Sequence, residues 1–564
     1  MLFKENLRLG ELLIVNNIIS DKQLEQALSQ HQKVGEFLGR TVVKMGIASE
    51  EEVLPLLSKK LKIPYVRINK LHIPPEVIKK VPAKFACHYE LIPIKLEGKV
   101  LTVALTDHPS HLEFIDDLTL LLGYKINPML AGELDVMKGL KKYYGIGAET
   151  IEEMMKQTSQ TETIKMVKSS VDNIEELAVD ASIIKFVNQI FLEAYRDRAT
   201  DIHIEPYEDE LRIRYRIDGI LHDTKVPASV KHFREALVSR IKIMSSLNIA
   251  ERRMPQDGRI KVKIGNTELD LRISILPTPF GESVNIRLLS SDIFLGLETL
   301  GLSSRHLQIL ESVIHRPHGI ILLTGPTGSG KTTTLYACLS EINDSSKKIV
   351  TIEDPIEYQL RGVSQIQVLP KIDLTFARGL RSMLRHDPDI MMVGEIRDFE
   401  TAETTIRTAL TGHLVFSTLH TNDAAGAITR LLNMGIEAYL LASSIECVIA
   451  QRLIRVICED CKEVVKNSTV QESSGIPKGT KIFIGKGCEK CRFTGFKGRT
   501  AIHEMLVIND EIRELIVKQT SANIIRNKAI SQGMKTLRQD GLDKVCKGIT
   551  TIEEVLRVTQ QEEK

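Results

Sequence analysis

The stretch "IILLTGPTGSGKTTTLYACL", Ile320 to Leu339, most constrains what this chain can fold into. An apolar run, Ile320 to Leu323, breaks into Gly325, Pro326, Thr327, Gly328, Ser329, Gly330, Lys331, Thr332 and Thr333, and helix-forming residues follow. Glycines at these positions let successive backbone N–H groups surround phosphate oxygens; Lys331 reaches the β/γ-phosphates and the Thr332 hydroxyl is a Mg²⁺ ligand. This strand, P-loop and helix sit in a region of alternating strands and helices, about residues 301–450, which implies a mostly parallel sheet. With 564 residues the chain is too long for one core and divides into several domains. The expected fold class is multidomain α/β.

Hydrolysis of a bound nucleotide needs carboxylates at the ends of neighbouring parallel strands, where such sheets bind ligands. "KIVTIEDPIEY" offers Glu353, Asp354 and Glu357; "DIMMVGEIRD" offers Glu395. The second has Gly394 where many P-loop enzymes carry a metal-associated aspartate. Glu357 is therefore read as orienting water and Glu395 as acting through Mg²⁺. Asp354, ahead of Pro355, reads equally well as a functional acid or as a mere helix cap or surface residue. "TGHLVFSTLHTN" carries His413 near its start and His420 at its end. A lone histidine is usually structural, but His420 ends a segment expected to approach the phosphates and is read as a hydrogen-bonding or sensing group.

Other segments have their own patterns. "LGELLIVNNIISDKQLEQAL" and "LGRTVVKMGIASEEEVLPLL" repeat each other as a short apolar helix, a turn and a second helix capped at Ser20 or Ser49. "LIPIKLEGKVLTVALT" reads as a hairpin through Glu97-Gly98, and the polar run from Ala148 to Glu176 reads as a linker. In "LDLRISILPTPFGESVNIRLL" Leu269, Leu271, Ile273 and Ile275 alternate with Arg272, and Val284, Ile286 and Leu288 alternate with Arg287. Period-two patterning puts both arginines on the solvated face of a hairpin. Cys458-x-x-Cys461 and Cys488-x-x-Cys491 have the spacing of a structural Zn²⁺ held by four thiolates; redox pairs are the alternative, without a thioredoxin-like context.

Composition sets limits. Lys+Arg of 75 against Asp+Glu of 73 leaves a formal charge of +2, and no aromatic-basic stretch stands out. A nucleic-acid translocase is therefore disfavoured. No apolar run approaches the length of a membrane span, no signal peptide is recognisable, and the expected location is cytoplasmic. A nucleotide switch without turnover would not need the carboxylate-rich strand ends.

Together these stretches resemble the secretion ATPases of the type II secretion and type IV pilus superfamily. "GPTGSGKTTT" matches Walker A, "TIEDPIEY" the Asp box, "IMMVGEIRD" Walker B and "TGHLVFSTLHTND" the His box, and the likeness extends to "TDIHIEPYEDELRIRYRIDG", "ERRMPQDGRI" and "TLRQDGLDKV". "GVSQIQVLPKIDLTFARGLRSMLRHDPD" and "LHTNDAAGAITRL" look most like the GspE type, with pilus-extension ATPases as the runner-up.

The resemblance implies a homohexameric ATPase using ATP and Mg²⁺, with a PAS-like domain tethered to a RecA-like domain. It would build a pseudopilus through inner-membrane partners, a bitopic docking protein and a polytopic platform protein. The expected organisation is a duplicated helical module (1–68), an α+β domain (69–145), a linker (146–178), a PAS-like domain (179–290) and a RecA-like domain (291–451). A zinc module (452–500) and a helical C-terminal region (501–564) follow. Arg272 and Arg287 match arginines that relatives bring to the nucleotide from the PAS-like domain, in their own subunit or a neighbour's; Arg381 and Arg385, spaced to share a helix face, match a second pair. The tandem N-terminal helices resemble a cyclic di-GMP motif in which Arg8 is kept. Asn17, His31, Phe37 and Lys60 depart from it, so a docking module for a membrane partner is the preferred reading.

Overall fold

A computed structural model describes residues 9–34, 38–106, 115, 118–120, 122–151, 154, 174–264, 267–290, 296–465, 476–477 and 480–559. The chain divides into two units, Met1–Leu288 and Leu289–Lys564.

The first unit opens with the duplicated helices, Leu9–Val15 and Asp21–Val34, then Leu38–Lys44 and Glu50–Leu61. Ser20 N donates to Gln23 Oε1 and Ser49 N to Glu52 Oε2, both at 2.9 Å, the reciprocal caps that the spacing predicts. Each copy turns through a left-handed residue, Asn17 at φ 55° and Gly46 at φ 68°. Asparagine is the non-glycine residue best suited to that conformation, so Asn17 preserves the turn. Arg8 and Phe37, and the side chain of His31, lie outside the described residues.

Strands β1 (Leu91–Glu97) and β2 (Val100–Leu105) form the expected hairpin through Gly98, and β3 (Lys125–Leu130) joins β2 in parallel. Part of the expected linker 146–178 is core instead. Ile151 and Met154 are fully buried and share a core with Ile146 and with Phe186 and Val187, which the later helix supplies. Residues 155–173 lie outside the described residues.

The helix Ile174–Arg196 leads into β4 (Ala199–Pro206), β5 (Leu211–Ile217), β6 (Ile220–Thr224), β7 (Gln256–Ile264), β8 (Thr267–Thr278) and β9 (Gly281–Ser290). They form one sheet ordered β6-β5-β4-β9-β8-β7. Leu269, Leu271, Ile273, Ile275, Val284 and Ile286 pack against Phe186, Ile190, Leu237 and Ile241, so the period-two reading of this hairpin holds.

In the second unit the main strands are β10 (Gly319–Thr324), β11 (Ile349–Glu353), β12 (Val363–Gln367), β13 (Ile390–Val393), β14 (Leu414–Leu419) and β15 (Ile445–Ile457). A small hairpin, β16 (Lys462–Val465) and β17 (Ile482–Gly485), precedes β18 (Phe496–Val507). The sheet runs β12-β11-β13-β14-β10-β15-β18, parallel up to β15, with β18 antiparallel at the edge. Apolar clusters cover both faces, which explains why β10 is buried at every position.

Two expected boundaries are displaced. β15 runs through 451/452 and β18 through 500/501, so the cysteine segment is an insertion between two strands of the main sheet. Ile512, Ile516 and Ile525 share a core with Leu322, which makes the C-terminal helices part of this unit.

Candidate functional site

Parallel strands deliver their following loops to one edge of a sheet, and here that edge collects the P-loop, Glu395 and His420. β10 ends at Thr324 and the helix Lys331–Ile342 starts after a loop in which Gly325, Gly328 and Gly330 have φ of 153°, 76° and 88°. At Gly325 a Cβ would stand 2.6 Å from Gln451 O, so conformation and space both require glycine. Pro326, Thr327 and Gly328 form the exposed crest, while Thr332 and Thr333 are half-buried in the first helical turn.

Lys331 Nζ donates to Gly325 O at 2.7 Å and Pro326 O at 3.2 Å. Burial pushes its ammonium down to about 8, with the Glu395 carboxylate opposing. The Ser329 hydroxyl is buried with no hydrogen-bond partner among the described residues. A helix N-terminus, a glycine-rich run of N–H groups, an ammonium and an orphan hydroxyl are a donor set that fits nucleotide phosphates.

Glu395 follows β13; Arg397 forms an ion pair with it, and His420 Nε2 lies 3.3 Å from its Oε2. Gly394 is glycine for a spatial reason. A Cβ there would stand 3.2 Å from Ile352 O and 3.3 Å from Glu353 Cα on the adjacent β11, so the acid of this strand end sits one residue later. His413 Nδ1 lies 3.0 Å from Thr408 O, the structural role usual for a lone histidine.

Glu357, half-buried after β11, donates its backbone N–H to the Tyr336 hydroxyl at 3.3 Å. Tyr336, on the P-loop helix, donates in turn to Glu353, whose other oxygen accepts from Thr351 Oγ1 at 2.5 Å and Gln365 Nε2 at 3.1 Å. Glu353 is thus consumed by a buried network that holds the Glu357 segment, while Asp354 is exposed.

The arginines have local partners. Arg287 Nε donates to Asp201 Oδ1 at 3.0 Å on the face of the sheet opposite its core, the face that Arg272 shares on β8. Arg381, on the helix Phe376–Met383, pairs with Glu400. Arg385 lies in the following 3₁₀ turn, Leu384–His386, and its Nη1 donates to Arg381 O at 3.0 Å, so the expected common α-helical face is interrupted. The cause is Asp387-Pro388: the residue before proline is disfavoured in the α region, and Asp387 leaves the helix at φ 53°.

The cysteine segment brings its four sulfurs together. Cys458 and Cys488 Sγ are 3.8 Å apart, as are Cys461 and Cys491; Cys488 and Cys491 are 3.7 Å apart, and all four lie within 4.8 Å of one another. Thiolates around a tetrahedral Zn²⁺ stand about 3.8 Å apart, so the cluster is compatible with zinc.

Sequence reasoning passed over Tyr336, Gln451 and Arg452. Arg452 Nη2 donates to Asn422 O at 2.8 Å and Thr421 N to Thr324 Oγ1 at 2.8 Å, tying the turn after His420 to the strands beside the P-loop. A polar Gln-Arg pair inside the apolar run "CVIAQRLIRVI" was the available signal.

Residues 176–557 match the type II/IV secretion system protein family, and residues 61–150 match the MshEN domain, beginning where the duplicated helices end. The chain is 43% identical over 560 residues to the type IV pilus assembly ATPase PilB of Myxococcus xanthus strain DK1622, covering 97% of this chain and 98% of that protein. It is 51% identical over 393 residues to type II secretion system protein E of Pectobacterium carotovorum subsp. carotovorum, covering 69% of this chain and 78% of that one. To type II secretion system protein E of Xanthomonas campestris pv. campestris it is 40% identical over 566 residues, covering 98% of each. With its P-loop, strand-end acids and a family match over most of its length, the chain belongs to the type II/IV secretion system protein family and is a secretion ATPase of the GspE type.

Proposed function

We propose that this ATPase works as a homohexamer at the inner membrane, where it powers pseudopilus assembly and protein export by a type II secretion system. The observation that carries the reading is the gathering of the P-loop, Glu395 and His420 at one sheet edge, in a segment 51% identical to type II secretion system protein E. Loop N–H groups from Gly325 to Thr333 and the Lys331 ammonium bind the β/γ-phosphates. Mg²⁺ arriving with ATP offsets phosphate charge, and Thr332 and Glu395 are the residues that would hold it. His420 fixes the Glu395 carboxylate, and Glu357, held through Tyr336, orients the attacking water. Arg272, Arg287, Arg381 and Arg385 supply positive charge during phosphoryl transfer.

Cys458, Cys461, Cys488 and Cys491 would hold a Zn²⁺ whose part is structural, cross-linking the two ends of the segment. Residues 1–68 dock the ATPase to the cytoplasmic domain of a bitopic membrane protein and a polytopic platform protein completes the assembly. Cyclic di-GMP binding by these helices is the lesser reading. Attachment to the membrane runs through these partners; among the described residues no helix is long and apolar enough to cross a membrane. Pilus extension is the second reading, favoured by the match to PilB over 97% of the chain.

Complementation of a deletion strain separates the two. Wild type should restore export of secreted proteins, and Glu357→Gln, which leaves the P-loop intact, should bind Mg-ATP, lose most turnover and restore nothing. Restored surface pili with unchanged export would establish pilus extension, and near-normal turnover by Glu357→Gln would remove that residue from its role.

A further inference from the structure

Gln451 lies in the middle of β15, 2% exposed, and its carboxamide is used at both ends. Nε2 donates to Ser329 O at 2.9 Å, and Oε1 accepts from Thr334 Oγ1 at 2.8 Å. The orientation of the amide is fixed chemically. A carbonyl oxygen only accepts, so the nitrogen faces Ser329 and the oxygen is left for the Thr334 hydroxyl. Thr334, 1% exposed, belongs to the P-loop helix, so one side chain pins both the loop and the helix that follows it.

We propose that Gln451 is a positioning residue for ATP binding, locking the Ser329–Gly330 peptide so that the Gly330 N–H faces the phosphates. Rigid peptide planarity makes the argument. The Ser329 C=O and the Gly330 N–H belong to one trans peptide and point in opposite directions, so a carbonyl held toward β15 turns the N–H toward the mouth of the loop. A lock is needed because Gly330, at φ 88°, has no side chain to bar rotation of that peptide. Contact is close: a Cβ at Gly330 would stand 2.8 Å from Gln451 Nε2. Arg452 extends the device, since its Nη1 donates to Gln451 O at 3.0 Å while its Nη2 holds Asn422 O. The inference rests on the P-loop being the nucleotide site.

The test uses the purified full chain, fluorescent ADP titration and steady-state ATPase kinetics from pH 6 to 8. Gln451→Met keeps the volume and removes both hydrogen bonds. Its nucleotide Kd and KM should rise on the order of 10-fold with kcat changed much less, the mark of lost uniform binding. Gln451→Glu should be as weak or weaker at pH 8, where a carboxylate faces the Ser329 carbonyl. Toward pH 6 it should recover affinity, because a protonated carboxyl again donates to Ser329 O and accepts from Thr334, whereas Gln451→Met has nothing to titrate. Thr334→Val, which leaves Gln451 in place but frees its amide to rotate, should raise KM a few-fold even if the other variants fold poorly. Wild-type KM in Gln451→Met or Thr334→Val, or loss in both Gln451 variants without acid recovery in Gln451→Glu, would overturn the lock. Failure of wild type itself to bind nucleotide would instead overturn the P-loop reading beneath it.

Discussion

His503 shows how burial alone sets a side chain's chemistry. It is fully buried on β18 and faces His306, whose ring centroid is 6.3 Å away, with Lys544 and Asp540 completing the cluster. Lys544 Nζ is 2.8 Å from Asp540 Oδ2, so the nearest carboxylate is already paired. Burial first, then the charges of Lys544 and His306, hold the His503 pKa well below 6.5, and His306 is lowered by burial as well. The sign follows directly. The unfolded chain takes up these protons near pH 6.5 and the folded chain resists, so the stabilisation is complete above pH 6.5 and is lost as pH falls below it. Urea unfolding of the second unit should weaken from pH 7.5 to pH 5.5, and His503→Gln should flatten that slope by close to one proton's worth. An unchanged slope in the variant would place the acid sensitivity elsewhere. No sequence pattern announces this cluster, because its members come from a helix, a strand and another helix far apart in the chain.

At the scale of elements, legibility tracked how much of a feature is local. The P-loop, the capped repeat and the alternating hairpin are each written within about twenty residues, where glycine φ, capping spacing and period two act directly. Ile151 and Met154 looked like scattered apolar residues in a polar run because the helix they pack against comes later. The β15 and β18 strands ran past the expected domain limits because cysteine spacing marks metal ligands but not the strands that carry them. That placement gives the cysteine segment a testable consequence. β15 pairs with β18 from Cys447↔Val507 to Ile457↔Phe496, so the cysteines close one end of a long ribbon that carries Gln451 at its middle. The purified chain should contain close to one zinc per chain. Replacing Cys458 and Cys488 with serine should release it, lower thermal stability and increase amide exchange around Ile457 and Phe496 before it reaches Gln451 and the P-loop. Wild-type protein without zinc, or a double variant that keeps it, would refute the metal assignment.

At the scale of the whole molecule, the role proposed for the sheet arginines can be tested together with the question of whose P-loop they would serve. A motor needs positive charge at the γ-phosphate during transfer, and coupling between subunits arises naturally when that charge comes from a neighbour. Arg272 and Arg287 are suited to that task because they stand on strands rather than loops: β8 and β9 are packed by Leu269, Leu271, Ile273, Val284 and Ile286, and Asp201 fixes the Arg287 guanidinium through Nε. Removing an arginine that acts in the transition state costs roughly 10³ to 10⁵ in rate, so Arg272→Ala/Arg287→Ala should lose turnover far more than nucleotide affinity. Lys331→Ala should lose both. Mixed under conditions in which subunits exchange, these two inactive proteins distinguish the geometries. If the arginines act across an interface, an Arg272→Ala/Arg287→Ala subunit with an intact P-loop can receive arginines from a Lys331→Ala neighbour, and ATPase activity returns. If they act within one chain, every site in the mixture lacks either the lysine or the arginines and activity stays at background. Recovery should therefore rise and fall with the mixing ratio, peaking near equal amounts, and its absence in verified mixed assemblies would mean that the hairpin serves its own subunit or only holds the fold.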